Sequence, residues 1–155
     1  DIDIFRVIFM LAVHELEETV IGDLTMWDVA ADDKLSQGHN AVRSILKDLL
    51  EKEQIESLIF EFDERETKEA KFAYHCDKLE CDIQSKLYDE EGCVDLTKQE
   101  GNKTFSDENV QRLLNEKDSW SAMWLAFGRS RYSYDSNFTE VSNYVENNDI
   151  GSLKK

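Results

Sequence analysis

His14-Glu15-Leu16-Glu17-Glu18-Thr19-Val20-Ile21-Gly22-Asp23 follows an apolar run from Ile4 to Val13, and the way the two join decides how the chain folds. At 100° per residue, Ile4, Val7, Ile8 and Leu11 share one helix face, and His14, Glu15 and Glu18 prolong it. Phe5, Phe9 and Val13 lie on the far side, so the helix is expected to be apolar nearly all round and central. Only a strip of Asp3, Arg6 and Glu17 should face solvent. An imidazole and two carboxylates thus point where the apolar residues point. Burying ionised groups without partners is costly, and a divalent metal with its bound water would neutralise them. Gly22 is the expected stop, with Asp23 just past the turn and able to fold back on the same pocket.

The remaining periodicities are helical. Asp32-Asp33-Lys34 reads as the start of a polar turn around Gly38, before a helix over 39–50 with Val42, Ile45, Leu46 and Leu49 in phase. Ile55, Leu58, Ile59 and Phe62 mark a short helix over 54–62. Thr67 is an N-cap for a helix over 68–88, with Glu69 near its positive end. There Phe72, Cys76, Leu79, Ile83 and Leu87 form one apolar face, and Asp77 shares a neighbouring face with Ala70, Ala73 and Cys81. Small neighbours leave room for the Asp77 carboxylate to reach a ligand on an adjacent helix, or to make a plain buried hydrogen bond.

The run 89–95 is acidic but lacks the alternating ligands and closing Glu of a calcium loop, so it reads as exposed. Ser106 or Asp107 can cap a helix holding Val110, Leu113 and Leu114. Trp120, Met123, Trp124 and Phe127 resume the pattern up to Gly128, an aromatic stripe that suits a core or a dimer interface. Phe138, Val141, Tyr144 and Val145 mark a last short helix before a Lys-rich tail. No internal repeat and no sustained strand alternation is present. The expectation is an all-α helical bundle, one domain over 1–155.

The chain has 155 residues, 41% of them hydrophobic, and a net charge of −16. That charge disfavours broad contact with nucleic acid or anionic membrane, which need a basic footprint. No apolar run approaches the roughly 20 residues that span a bilayer. Cys76, Cys81 and Cys93 form no even framework and no close pair, as expected of reduced thiols in a cytoplasmic protein. No Gly-x-Ser-x-Gly and no phosphate-binding Gly-rich loop occurs. Cys76 beside His75 is a poor dyad, because helix neighbours point about 100° apart.

His14-Glu15-x-x-Glu18-x-x-x-Gly22-Asp23, followed by Cys76-Asp77-Lys78-Leu79 and preceded there by Glu64-Arg65-Glu66-Thr67-Lys68-Glu69-Ala70, resembles the HD-domain metal-dependent phosphohydrolases. The nearest branch is the bacterial 5'-deoxynucleotidase-like group, whose pattern runs His-Asp-x-x-Glu, Gly-Asp, Asp-Lys-Leu. The likeness covers roughly residues 1 to 90. It implies an HD-domain-like fold and a phosphoric monoester hydrolase acting on (deoxy)nucleoside 5'-monophosphates. It also implies His14, Glu15 and Asp77 as ligands of a divalent ion: Mn²⁺, Co²⁺, Mg²⁺ or Zn²⁺.

By the same resemblance Glu18 orients or deprotonates a metal-activated water, and Asp23 protonates the leaving oxygen or holds the sugar hydroxyl. The two roles are exchangeable. Lys78 and Arg6 are the nearest candidates for phosphate contact, and Trp27 is either a lid over a base or a loop residue packed on the core. His39 and His75 read as ordinary.

Two departures stand out. Glu15 replaces the family Asp, and its extra methylene moves the carboxylate. The family also has an earlier helix carrying a further metal-binding His and a phosphate-binding Arg, and the expectation is a segment preceding Asp1 that supplies both. A small phosphate ester is the expected partner, and a homodimer is expected at family level only. The competing reading is a helical module of this type that has lost catalysis and binds a nucleotide or a protein. Taken alone, the first motif also fits Glu15, Glu17 and Glu18 decorating an exposed helix end with His14 a satisfied core residue.

Overall fold

The computed structural model describes residues 1–151, so the expected Lys-rich tail lies outside the described residues. These contain seven helices, one four-residue turn of helix and no strand, as the periodicities require. The order is α1 (Ile4–Val13), α2 (Glu18–Ile21), α3 (Ala31–Leu46), α4 (Lys52–Glu64), α5 (Lys68–Glu90), α6 (Glu108–Glu116), α7 (Trp120–Arg131) and α8 (Ser136–Asn147). They fall into two compact units, Asp1–Tyr74 and His75–Lys155, with the division inside the unbroken helix α5.

In the first unit α4 packs on α1 and α3, and α2 packs on α3. Val7 and Met10 of α1 meet Leu58 and Phe62 of α4 and Ala70 and Ala73 of α5 in one apolar cluster. A second cluster joins Val42 and Leu46 of α3 to Ile59 of α4, with Val13, Leu16 and Phe60 against it. The ends are capped by chemistry visible in the sequence. The Asp3 carboxylate accepts from the Arg6 N–H at 3.1 Å, and Thr67 Oγ1 accepts from the Ala70 N–H at 3.1 Å, as the N-cap reading required. Arg65 ends α4 in the left-handed region (φ 53°), and its guanidinium lies 4.7 Å from the centre of the Tyr74 ring.

Helix α1 departs from expectation. It is not central: Phe5 is 87% exposed, and Ile4, Ile8 and Phe9 are each more than half exposed. The buried stripe is Val7 and Met10, so the core-facing side is rotated from the one the apolar pattern favoured. A run apolar on every side has no periodicity, and only its neighbours choose which side is covered. Two glycine readings also change. Asp32-Asp33-Lys34 and Gly38 lie inside α3 rather than in a turn, with the two aspartates in the first turn where they complement the helix dipole. Gly128 does not stop α7, which continues to Arg131.

In the second unit α7 packs on α6 and α8. Asp107, Ser119 and Asp135 cap α6, α7 and α8 through their side chains. Met123, Leu125, Phe127, Val110, Phe138 and Val145 are buried. The expected aromatic stripe extends into a chain of ring contacts, with Trp120 against Phe105 and Trp124, and Trp124 against Phe127. Asp82 on α5 is buried among these helices and accepts from the Tyr134 hydroxyl at 3.1 Å. Gly128 makes room for it: a Cβ there would stand 2.0 Å from Asp82 Oδ2.

Candidate metal centre

Helix α1 stops at Val13, and the chain from His14 to Glu17 passes through a tighter turn before α2. Its hydrogen bonds run three residues back, from the Leu16 N–H to the Val13 carbonyl and from the Glu18 N–H to the Glu15 carbonyl, both at 3.1 Å. The expected continuous helix to Gly22 is therefore broken where the charged residues begin. Gly22 does end α2, at φ 80° with its N–H on the Glu18 carbonyl, a conformation that favours glycine.

Helix α1 packs beside the start of α5. The Asp3 N–H donates to Glu69 Oε1 at 3.0 Å, and Val7 and Met10 share a cluster with Ala70 and Ala73. His14 is one turn beyond Met10, and Asp77 is one turn beyond Ala73 on the same unbroken helix. His14 and Glu15 belong to the first unit, and Asp77 lies three residues past the division in α5. His14 Nδ1 is 2.9 Å from the Leu11 carbonyl, a bond in which Nδ1–H donates and Nε2 carries the lone pair. Nε2 lies 3.7 Å from Glu15 Oε1. One imidazole nitrogen and two carboxylates make a mixed N and O donor set that fits a borderline or hard divalent ion.

The other candidate residues lie as follows. Glu18 Oε1 is 3.2 Å from Lys34 Nζ, which also donates to the Leu24 carbonyl at 2.6 Å. Asp23 is exposed, one residue before that carbonyl. Trp27 is half-buried in a turn closed by Thr25 Oγ1 donating to Asp28 Oδ2 at 2.6 Å. Lys78 Nζ is 2.7 Å from Asp77 Oδ2. Arg6 is engaged at the other end of α1 by Glu61, which holds the Glu61 carboxyl below its ordinary range. Cys76 has its thiol pushed up by burial and by Asp77, against a nucleophilic role.

Sequence reading missed three features. Glu17, expected on the solvent strip, is half-buried with Oε2 fully covered and without a hydrogen-bond partner among the described residues. Burial, helped by Asp63, pushes its carboxyl up. A Cβ on Gly38 would come 3.2 Å from Glu17 Cγ, so the turn sits close on α3. His39, which reads as ordinary in the sequence, has Nε2 2.9 Å from Asp63 Oδ2; burial raises Asp63, and His39 opposes the rise. Lys34 lies in α3, not in the turn that the sequence predicts. Two acidic residues followed by a 3.6-residue pattern at Leu35, Gly38 and Val42 were the available signal for the earlier start of α3, whereas the pairings span 16 and 24 residues and leave no local trace.

No helix among the described residues is long and apolar enough to cross a membrane. No curated protein and no solved structure matches the chain. A family model described as "HD domain" matches residues 1–116, which takes in both halves of the His14, Glu15 and Asp77 set. HD domains bind divalent metals and are in general metal-dependent phosphohydrolases. By that match over three quarters of its length, this chain belongs to the HD domain family.

Proposed function

We propose that the chain is a divalent-metal-dependent phosphomonoesterase acting on (deoxy)nucleoside 5'-monophosphates, with His14, Glu15 and Asp77 as its metal ligands. The observation that carries this is the match to the HD domain model over residues 1–116, a span that includes His14, Glu15 and Asp77. The substrate class rests on the resemblance of Gly22-Asp23 and Asp77-Lys78-Leu79 to the 5'-deoxynucleotidase-like group. A divalent ion held by His14, Glu15 and Asp77 would supply Lewis acidity toward the phosphoryl group and would lower the pKa of the attacking water.

The chain's own residues then divide the proton work. Glu18 accepts the proton of the attacking water as its oxygen bonds to phosphorus. Asp23 gives a proton to the 5'-oxygen as the old P–O bond breaks, or holds the sugar hydroxyl, and the two roles are exchangeable. Lys78, beside Asp77, supplies positive charge toward the phosphate in a chain that otherwise repels anions. Trp27 offers a face for the base. The second reading, a module that binds a nucleotide or protein without turnover, draws on Glu15, whose side chain is 62% exposed where the family has a shorter Asp.

Phosphate release from a panel of nucleoside and deoxynucleoside monophosphates, with and without Mn²⁺, Co²⁺ and Mg²⁺, tests the proposal. Metal-dependent release that Glu18→Ala abolishes is the expected result. Folded protein that releases none with any metal overturns it in favour of the binding module.

A further inference from the structure

Resting on that phosphohydrolase reading, we propose that Lys34 is a positioning residue that holds Glu18 and Asp23 in place for proton transfer. Glu18 sits on a helical turn of only four residues with no side-chain cap, and the chain from Gly22 to Thr25 has no regular structure. Neither segment is stiff by itself. Lys34 supplies the tie. Its ammonium lies 3.2 Å from Glu18 Oε1 and donates to the Leu24 carbonyl at 2.6 Å. The first contact fixes the Glu18 carboxylate. The second anchors the peptide immediately after Asp23, so one cation ties the Glu18 carboxylate to the backbone that carries Asp23.

The tie has a firm base. Lys34 belongs to the first turn of α3, its N–H bonded to the Ala30 carbonyl at 3.0 Å, and the same 16-residue helix is rooted by Val42 and Leu46 in the core. The ion pair is partly sheltered, with side-chain exposures of 33% and 21%. A group held by a side chain from a rigid helix keeps its geometry better than one on a loop.

The test compares Lys34→Met and Lys34→Arg with wild type, using deoxyadenosine 5'-monophosphate and Mn²⁺. It measures kcat and KM, Mn²⁺ affinity by calorimetry, and amide hydrogen exchange over residues 22–30. Lys34→Met should lower kcat by about 10- to 100-fold, a typical loss for mispositioned groups. KM and Mn²⁺ affinity should stay within about threefold, exchange over 22–30 should accelerate, and Lys34→Arg should recover most of kcat. An unchanged kcat, or a risen KM at constant kcat, overturns the positioning role, the second outcome marking Lys34 as a phosphate contact instead. If wild type releases no phosphate with any metal, the phosphohydrolase reading falls and takes the catalytic part of this role with it. Hydrogen exchange then judges the tie alone, and unchanged exchange in Lys34→Met overturns that too.

Discussion

Replacing Asp82 by Asn should make the protein's stability less sensitive to pH, and the size of the effect follows from where Asp82 sits. The residue is 4% exposed, and burial pushes its carboxyl up to about 7. The Tyr134 hydroxyl, Arg129 and Lys78 oppose the rise without cancelling it. An Asp raised in the folded state stabilises that state when protonated. The contribution is fully present below the unfolded pKa near 4 and is lost as pH rises through about 7. Between pH 5 and pH 8 this one group should remove on the order of 2–3 kcal/mol of stability.

Asn has the same shape, fits beside Gly128, and still accepts from the Tyr134 hydroxyl, but it does not titrate. Urea unfolding followed by circular dichroism at pH 5 and pH 8, on variant and wild type, isolates the term, because the other carboxylates cancel in the difference. The variant should gain about 2–3 kcal/mol relative to wild type on going from pH 5 to pH 8. A difference that does not change with pH would refute the reasoning and show that Asp82 is ionised throughout.

Three further outcomes are expected. Gly128→Ala places a methyl 2.0 Å from Asp82 Oδ2 and should cost about 1–3 kcal/mol in urea unfolding, most of it recovered by adding Asp82→Ala; an unchanged midpoint would deny the close approach of α7 to α5. Asp77→Ala should abolish Mn²⁺ binding in calorimetry while the helical circular dichroism persists, and full occupancy in that variant would remove Asp77 from the ligand set. Phe5→Ser should change stability by less than about 0.5 kcal/mol, since the ring is 87% exposed; a large loss in urea unfolding would mean that this ring is covered in solution.

The sequence by itself determined the helical class, most helix positions and the two motif halves, because these depend on local order. Thr67 capping α5, Gly22 ending α2 and the Val110–Leu113 pattern each follow from neighbours within four residues. Family membership was legible for the same reason: spaced residue types survive in a linear reading. The tertiary structure decided which side of α1 is covered, since Ile4, Phe5, Val7, Ile8, Phe9 and Met10 are equally apolar and only contact with α4 and α5 separates Val7 and Met10 from the rest. It also decided the partners of the charged residues. Lys34 with Glu18, His39 with Asp63 and the buried edge of Glu17 against Gly38 come from helices meeting across 16 to 24 residues of chain. Burial and Coulomb attraction depend on distance in space, and a sequence records only distance along the chain.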